Sequence, residues 1–454
     1  MKAAPAHHEL PGSGRVLTIS TIGFTLMFAV WLMFGILGVP IQKEFGLTNP
    51  ELFWITSLAV LNGSMWRLPA GMLADRIGGR KVMLFLLLSG AVASVAVSFA
   101  NSYPMLLLLA FFVGFVGNSF SVGIAWNSAW FGDRRKGFAL GVFGAGNVGA
   151  SVTKFIGPAI IAGTAGATYV LGVRGGWRLV PVIYAVLLVA TAIALLVVTP
   201  SPDHVPGSSK TVVEMLRPLR DVRVWRFSLY YVVVFGAYVA FSAYLPSYYV
   251  KVFGLDLQTA ALLTATFIFP ASLLRPIGGW FSDRWGARRA MYATFFVMLA
   301  ACGVLMMPNG HIVLHLPGGK QASTMSYDMS LPLFVAAVFV LGCAMGIGKA
   351  AVYKHIPTYF PDNVGSVGGL VGMLGGLGGF FLPLMFSYSQ EATGMWSSAF
   401  FILFCFVAVS LAWMHLTIHA MLHRQAPQLR DLVEVPDAAP RSPVSANTLE
   451  EINS

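Results

Sequence analysis

Two arginines carry the chemistry most worth following in this sequence. Arg67 stands in Trp66-Arg67-Leu68-Pro69-Ala70-Gly71, and Arg275 in Leu274-Arg275-Pro276-Ile277-Gly278-Gly279. Each sits about two-thirds of the way through a long apolar run, after about 24 Å of helix at 1.5 Å per residue. A charge at that depth costs about 2.5–3.5 kcal/mol on insertion scales, so something must offset it. Snorkelling is the bland explanation, but each arginine has about two turns of helix between it and the nearest polar loop. A bound ligand is the alternative. A guanidinium presents paired donors in one plane, a match for an oxyanion, and two of them aimed at one point make an anion site.

Two lysines pose the same question. Lys154 lies in Ser151-Val152-Thr153-Lys154-Phe155 and Lys349 in Gly346-Ile347-Gly348-Lys349-Ala350, both inside apolar runs. A desolvated lysine can release and take up a proton, which makes both candidates for proton coupling. Structural salt bridging is the competing role, although the sequence offers no evident buried carboxylate partner. Lys354 and His355 fall near a loop, where snorkelling accounts for them.

The elements that must hold these residues are membrane helices. Of the 454 residues, 57% are hydrophobic and only 10% charged. A soluble domain carries about 25% charged residues, so this chain cannot dress a water-facing surface. A spanning helix needs about 20 mostly apolar residues. Such stretches occur at 15–39, 51–74, 82–100, 104–130, 138–163 and 178–199, then at 225–250, 258–282, 289–306, 332–356, 363–388 and 395–422. The runs are continuously apolar rather than alternating, which argues against a β-barrel. The expected fold class is an all-α membrane protein with twelve transmembrane helices in two six-helix repeats.

The formal net charge of +11 is explained by where the charges fall. With the N-terminus inside, the even loops hold fourteen Lys and Arg, among them Arg76, Arg80, Arg134, Lys136, Lys210, Arg226 and Arg288, against five in the odd loops, Lys320 included. That is the positive-inside rule, and it places both termini in the cytoplasm. The basic balance is therefore an insertion signal and gives no ground for nucleic-acid binding. Cys302, Cys343 and Cys405 all fall inside spans and show no disulfide framework or zinc spacing. No metal and no cofactor are expected. No removable signal peptide is expected either, because the first apolar run is too long for one.

An internal repeat ties the two arginines together. Residues 66–81 and 274–289 align without gaps at an offset of 208, so that Arg67 meets Arg275, Gly71 meets Gly279 and Asp75 meets Asp283. Arg76, Gly78 and Arg80 meet Arg284, Gly286 and Arg288 in the same register. A looser pair places Gly137, Gly141 and Gly144 against Gly365, Gly369 and Gly372 at an offset of 228, the difference being taken up by a longer loop near 307–331. Two related six-span halves with a site at the midplane are a standard transporter plan. The expected organisation is a tail at 1–14, a first half at 15–199, a linker at 200–224, a second half at 225–422 and a tail at 423–454.

The segment from Gly71 to Lys81, with its second copy ending Asp283-Arg284-Trp285-Gly286-Ala287-Arg288-Arg289, resembles the loop motif of the major facilitator superfamily. Its acid can meet a helix end or an arginine of its own half, which would make Asp75, Arg76, Asp283 and Arg284 a conformational latch. Two glycine-rich helices sharpen the resemblance. One runs Gly141-Val142-Phe143-Gly144-Ala145-Gly146-Asn147-Val148-Gly149, and the other includes Gly369, Gly372, Gly375 and Gly376. Small residues let membrane helices approach closely, which alone is a weak signal. Together the two segments resemble the paired nitrate signatures of the nitrate/nitrite porter family.

That resemblance implies roles. Arg67 and Arg275 match the family's substrate-binding arginines, and Asn147 its signature asparagine. Phe120, Tyr231 and Phe235 match aromatic residues that pack against substrate. A flat anion between ring faces, held at its edge by guanidiniums, would be nitrate or nitrite. The expected protein is a monomeric multi-pass carrier of the cell inner membrane, its partners nitrate or nitrite, protons and the lipid bilayer. It is not expected to be an enzyme, since HExxH, GxSxG and phosphate-loop motifs are absent.

Charge counting frames the coupling. Two arginines carry about two positive charges, and reorienting them bare through a low-dielectric state is disfavoured. An exchanger solves this by moving only when loaded. A symporter adds a titrating partner, and the two lysines favour nitrate/proton symport over nitrate/nitrite exchange. Nitrate entry opposes a negative-inside potential by about 2.3 kcal/mol per charge per 100 mV, so at least two protons are needed for the potential to drive import. An exchanger of small carboxylates such as oxalate and formate would use the same arginines but lack the paired glycine signatures.

Overall fold

The computed structural model of the protein describes residues 9–166, 172–205, 211–307, 310–315, 317, 321–327, 329–360 and 364–425. The segments 1–8 and 426–454 of the expected tails lie outside these residues, as do Lys210 and Lys320, the side chains of Arg134 and Lys136, and the surroundings of Gly137 and Gly365.

Apolar runs become helices here for a plain reason. In hydrocarbon every backbone N–H and C=O must be satisfied internally, and a helix does this within one segment. Among the described residues nine helical stretches are long and apolar enough to cross a bilayer, and the bent pair Leu257–Leu273 and Arg275–Trp285 makes a tenth. Two further rods are interrupted in mid-course. One is Asn49–Met65 followed by Arg67–Ile77. The other is Asp133–Ala145, a tight 3-10 turn over Gly146–Val148, and Gly149–Gly163. These complete the twelve spans, counted below in chain order. The first is Ser13–Phe45, the fourth Tyr103–Trp130 and the seventh Val222–Phe253. The tenth is Leu331–Tyr359, the eleventh Val364–Thr393 and the twelfth Ser398–Gln425.

The interruptions obey the repeat. The second span breaks at Trp66, with φ −90° and ψ 5°, so Arg67 opens a new helical segment. The eighth breaks at Leu274, with φ −80° and ψ 0°, so Arg275 does the same. Four other spans are irregular in mid-course, the first span at Leu32 and Met33, between Ser13–Trp31 and Phe34–Phe45. The fourth tightens to a 3-10 turn at Phe115–Asn118, the fifth at Gly146–Val148, and the seventh widens to a π turn at Val232–Gly236. Irregular turns of this kind concentrate at functional sites, because they free backbone groups and re-aim side chains. The eleventh span, despite its glycines, runs unbroken.

Among the described residues the halves meet chiefly through the first span against the seventh, the second against the eleventh, and the fifth against the eighth. At the end remote from the chain termini, Asn49 Nδ2 donates to Gln390 Oε1 at 2.8 Å, and Trp54 Nε1 to the Tyr388 hydroxyl at 3.1 Å. Both bonds join one half to the other. At the termini-bearing end, the linker residue Asp203 binds the first half. Its carboxylate accepts from the indoles of Trp126 at 2.9 Å and Trp130 at 3.1 Å and from the Arg80 amide at 2.9 Å. The long loop of the second half holds a hairpin, strand Gly310–His315 pairing antiparallel with Gln321–Tyr327 around an irregularity between Ile312 and Val313.

Candidate anion site between the halves

Arg67 reaches across the interface. Its Nε donates to the Gly63 carbonyl of its own span at 3.0 Å, and its Nη1 to the Gly372 carbonyl of the eleventh span at 3.0 Å. The guanidinium lies among three rings, 5.2 Å from Trp31, 5.7 Å from Phe120 and 5.2 Å from Phe235. The residue is 1% exposed. Arg275 approaches from the second half, its guanidinium 5.9 Å from the same Phe120 ring. One aromatic ring of the fourth span is therefore within cation–π reach of both arginines.

The glycine signatures explain how each arginine is accommodated. A β-carbon built on Gly144 would sit 3.5 Å from Arg275 Nη1, and one on Gly376 would sit 3.1 Å from Arg67 Nη1. The arginine of each half thus packs on a signature glycine of the other half. Gly375 leaves room for the Tyr231 ring, and a β-carbon on Gly372 would lie 2.8 Å from the Tyr353 hydroxyl. Gly146 packs on Phe24, Gly149 on the Thr25 carbonyl of the first span, and Gly369 on Leu68. Gly141 differs, because a side chain there would meet open space.

The other expected residues gather around the same point. Asn147 is 1% exposed on the 3-10 turn of the fifth span. Its carbonyl accepts from the Tyr238 hydroxyl at 3.3 Å, while both polar atoms of its side chain have no hydrogen-bond partner among the described residues. Tyr231, just before the π turn, and Phe235, within it, stack face to face at 4.9 Å and 11°, and Tyr353 meets Tyr231 edge-on at 5.1 Å. Arg67 Nη2 and Arg275 Nη1 are likewise buried N–H groups without a partner. No aspartate or glutamate is found among the buried described side chains. A buried donor left unpaired is costly, and a charged one more so. Such a set of donors suits a small anion.

The two lysines part company. Lys349 belongs to the site: its Nζ donates to the Ala271 carbonyl at 3.0 Å and lies 3.2 Å over the Tyr238 ring and 5.7 Å from Phe235. Lys154 is also buried, on the later half of the fifth span, but its Nζ has no hydrogen-bond partner and no ring contact with the arginine site among the described residues. The loop acids also differ. Asp283 bonds Lys354 of its own half at 2.6 Å, and Arg284 lies over Trp280 at 5.7 Å. Asp75 is half-buried and Arg76 exposed on the matching segment of the first half. Sequence reasoning missed Trp31, Tyr238, Tyr353 and Asp203. Tyr353 had one available signal, its place one helical turn after Lys349.

Exposure is graded through the site. Arg67, Asn147 and Tyr231 are buried, Arg275 and Tyr353 half-buried, and Gly141, toward the termini-bearing end, exposed. At the remote end the halves are bridged by the Asn49–Gln390 and Trp54–Tyr388 bonds.

The profile of the Major Facilitator Superfamily matches residues 19–316 and 258–445. The chain is 61% identical over 433 residues to the "Probable nitrate/nitrite antiporter NarK1" of Thermus thermophilus, an alignment covering 95% of this chain and 98% of that protein. It is 31% identical to the "Nitrite extrusion protein" of Bacillus subtilis, over 85% of this chain and 89% of that one. Among solved structures, a bacterial homologue of the human lysosomal transporter Spinster, inward-facing and unoccupied, superposes with a TM-score of 0.67 at 16% identity, covering 94% of this chain and 99% of that one. The nucleoside transporter NupG superposes with a TM-score of 0.63 at 15% identity, over 89% and 99% of the two chains.

Proposed function

We propose, from the premise that this chain belongs to the Major Facilitator Superfamily and to its nitrate/nitrite porters, that it carries nitrate, with nitrite as a second substrate, between the guanidiniums of Arg67 and Arg275. One observation carries the reading. Two repeat-related arginines, one from each half, flank a single ring, and each keeps a buried N–H without a partner. Nitrate is flat and singly charged. Its faces suit Phe120, Phe235 and Tyr231, and its edge oxygens suit the arginines and the Asn147 amide. The halves 15–199 and 225–422 would rock about this point, joined by the linker 200–224, in a monomer of the cell inner membrane with both termini cytoplasmic.

For coupling, we favour nitrate/proton symport. Lys349 lies among the site's rings, and an anion between the arginines and a proton on Lys349 attract each other, so the two load together. Nitrate/nitrite exchange is the second reading. It is favoured by the permanent charge of the two arginines, which disfavours reorientation of a bare site. The Thermus relative bears the antiporter name.

Uptake of labelled nitrate into proteoliposomes, with and without trapped nitrite and under an imposed inward proton gradient, separates the two. Symport predicts gradient-driven uptake into nitrite-free vesicles, abolished by Lys349→Ala. Uptake that requires internal nitrite and ignores the gradient would select exchange and leave Lys349 a structural role.

A further inference from the structure

The seventh, ninth, tenth and twelfth spans line a small, partly open cavity at the termini-bearing end of the second half, formed by residues other than those of the paired arginine site. Its walls carry Arg226, Arg288, His355, Tyr230 and Tyr359, and Met414 closes it from the twelfth span. The enclosed part is small, about 10 Å³ and so room for about one water, and the wider space of about 260 Å³ includes its open mouth, where a compact group would lie against the guanidiniums.

In the sequence, Arg226 and Arg288 look like part of the insertion charge, destined for water. The structure places them otherwise. Arg226 is 6% exposed, and its Nε has no hydrogen-bond partner among the described residues. Arg288 is half-buried and donates to the Tyr359 hydroxyl at 2.8 Å. His355 is 5% exposed, with Nδ1 held by the Ala351 carbonyl at 2.7 Å. A carbonyl only accepts, so Nδ1 carries the hydrogen, and Nε2 is left for another partner. The Tyr230 hydroxyl is buried and unpaired as well.

The nearby carboxylate is already engaged. Asp221 bonds Arg223 at 2.7 Å, and those hydrogen bonds hold its carboxyl below the usual carboxylate range. The cavity lining contains no acid. Two guanidiniums, one of them buried with an unpaired Nε, therefore line a space whose walls hold no acid, Asp221 acting on Arg226 only from outside it, an arrangement that an anion would stabilise.

The setting indicates which anions can arrive. The twelfth span presents much of its surface to its surroundings, with Leu416 67% exposed beside the cavity, and Trp225 is 49% exposed at the start of the seventh. Tryptophan favours the membrane interface, and basic pockets between spans near that level bind lipid headgroups. We propose that this cavity is a second anion site, holding a compact oxyanion group through Arg226 and Arg288. The same chemistry fits the phosphate of an anionic lipid entering from the bilayer and free inorganic phosphate entering from water.

Titration of the full-length protein in neutral detergent tests this. Phosphatidylglycerol and phosphatidylcholine are followed by native mass spectrometry, and inorganic phosphate by thermal shift. One phosphatidylglycerol should bind at least tenfold more tightly than phosphatidylcholine, and Arg226→Gln and Arg288→Gln should each erase that preference. Equal lipid binding, with a phosphate-induced shift that both substitutions abolish, would support the site and identify the free ion as its source. No preference and no shift in the unmodified protein, or the same values in both variants, would overturn it. Should the glutamine variants fail to fold, Met414→Trp fills the cavity without removing charge; it too should erase the preference, and its retention would overturn the proposal.

Discussion

At the scale of single residues, Phe120 does the least expected work. It is one of 34 phenylalanines, and nothing in its local sequence distinguishes it from core packing. The structure places both guanidiniums within 6 Å of its ring, at 5.7 and 5.9 Å. A cation–π contact is worth about 0.5–2 kcal/mol. Phe120→Leu, which keeps the bulk, should therefore raise the KM for nitrate by about 2- to 30-fold in a proteoliposome uptake assay; an unchanged KM would reduce Phe120 to packing. The arginines themselves were legible in sequence because a charge in a spanning helix is expensive and a repeat gave each a partner. The rings around them were not. Trp31 and Tyr353 are long-range neighbours, brought to Arg67 and Tyr231 only by helix packing.

At the scale of elements, site residues cluster where helices lose regularity. Arg67 and Arg275 each follow a break, Asn147 sits on a 3-10 turn, and Phe235 on a π turn. The span count and the repeat could be read from apolar runs and from spacing, since both follow from local composition. The breaks could not, because only three-dimensional packing decides which turn yields. The same holds for the glycines, which look alike in sequence and differ in space. Gly375 lies under the Tyr231 ring, whereas Gly141 faces open space. Overpacking a tight contact costs about 1–3 kcal/mol. Gly375→Ala should therefore cut uptake severely and lower the melting temperature, while Gly141→Ala should stay near wild type. Equal effects at the two positions would contradict the packing described. The hairpin Gly310–His315 and Gln321–Tyr327 reads in sequence only as a long loop, its strands being too short to stand out among apolar spans of about 20 residues.

At the scale of the whole molecule, the two halves are closed against each other at the end remote from the termini. The Asn49–Gln390 and Trp54–Tyr388 bonds cross that seam, and alternating access requires both to part. Asn49→Cys combined with Gln390→Cys, bridged by a short cleavable bis-methanethiosulfonate reagent, should abolish uptake, and reductant should restore it; either single-cysteine variant should be unaffected. Full activity in the bridged protein would mean that this seam does not open during transport. The central claim is that one anion is held between two arginines supplied by opposite halves. Truncating one member of a buried, charge-assisted contact costs about 2–5 kcal/mol, or 30-fold and upward. The direct test is equilibrium nitrate binding to purified protein for the wild type, Arg67→Ala and Arg275→Ala, with folding checked by monodispersity. The paired site predicts that each substitution alone weakens binding by at least 30-fold. Wild-type affinity in either correctly folded variant would contradict it.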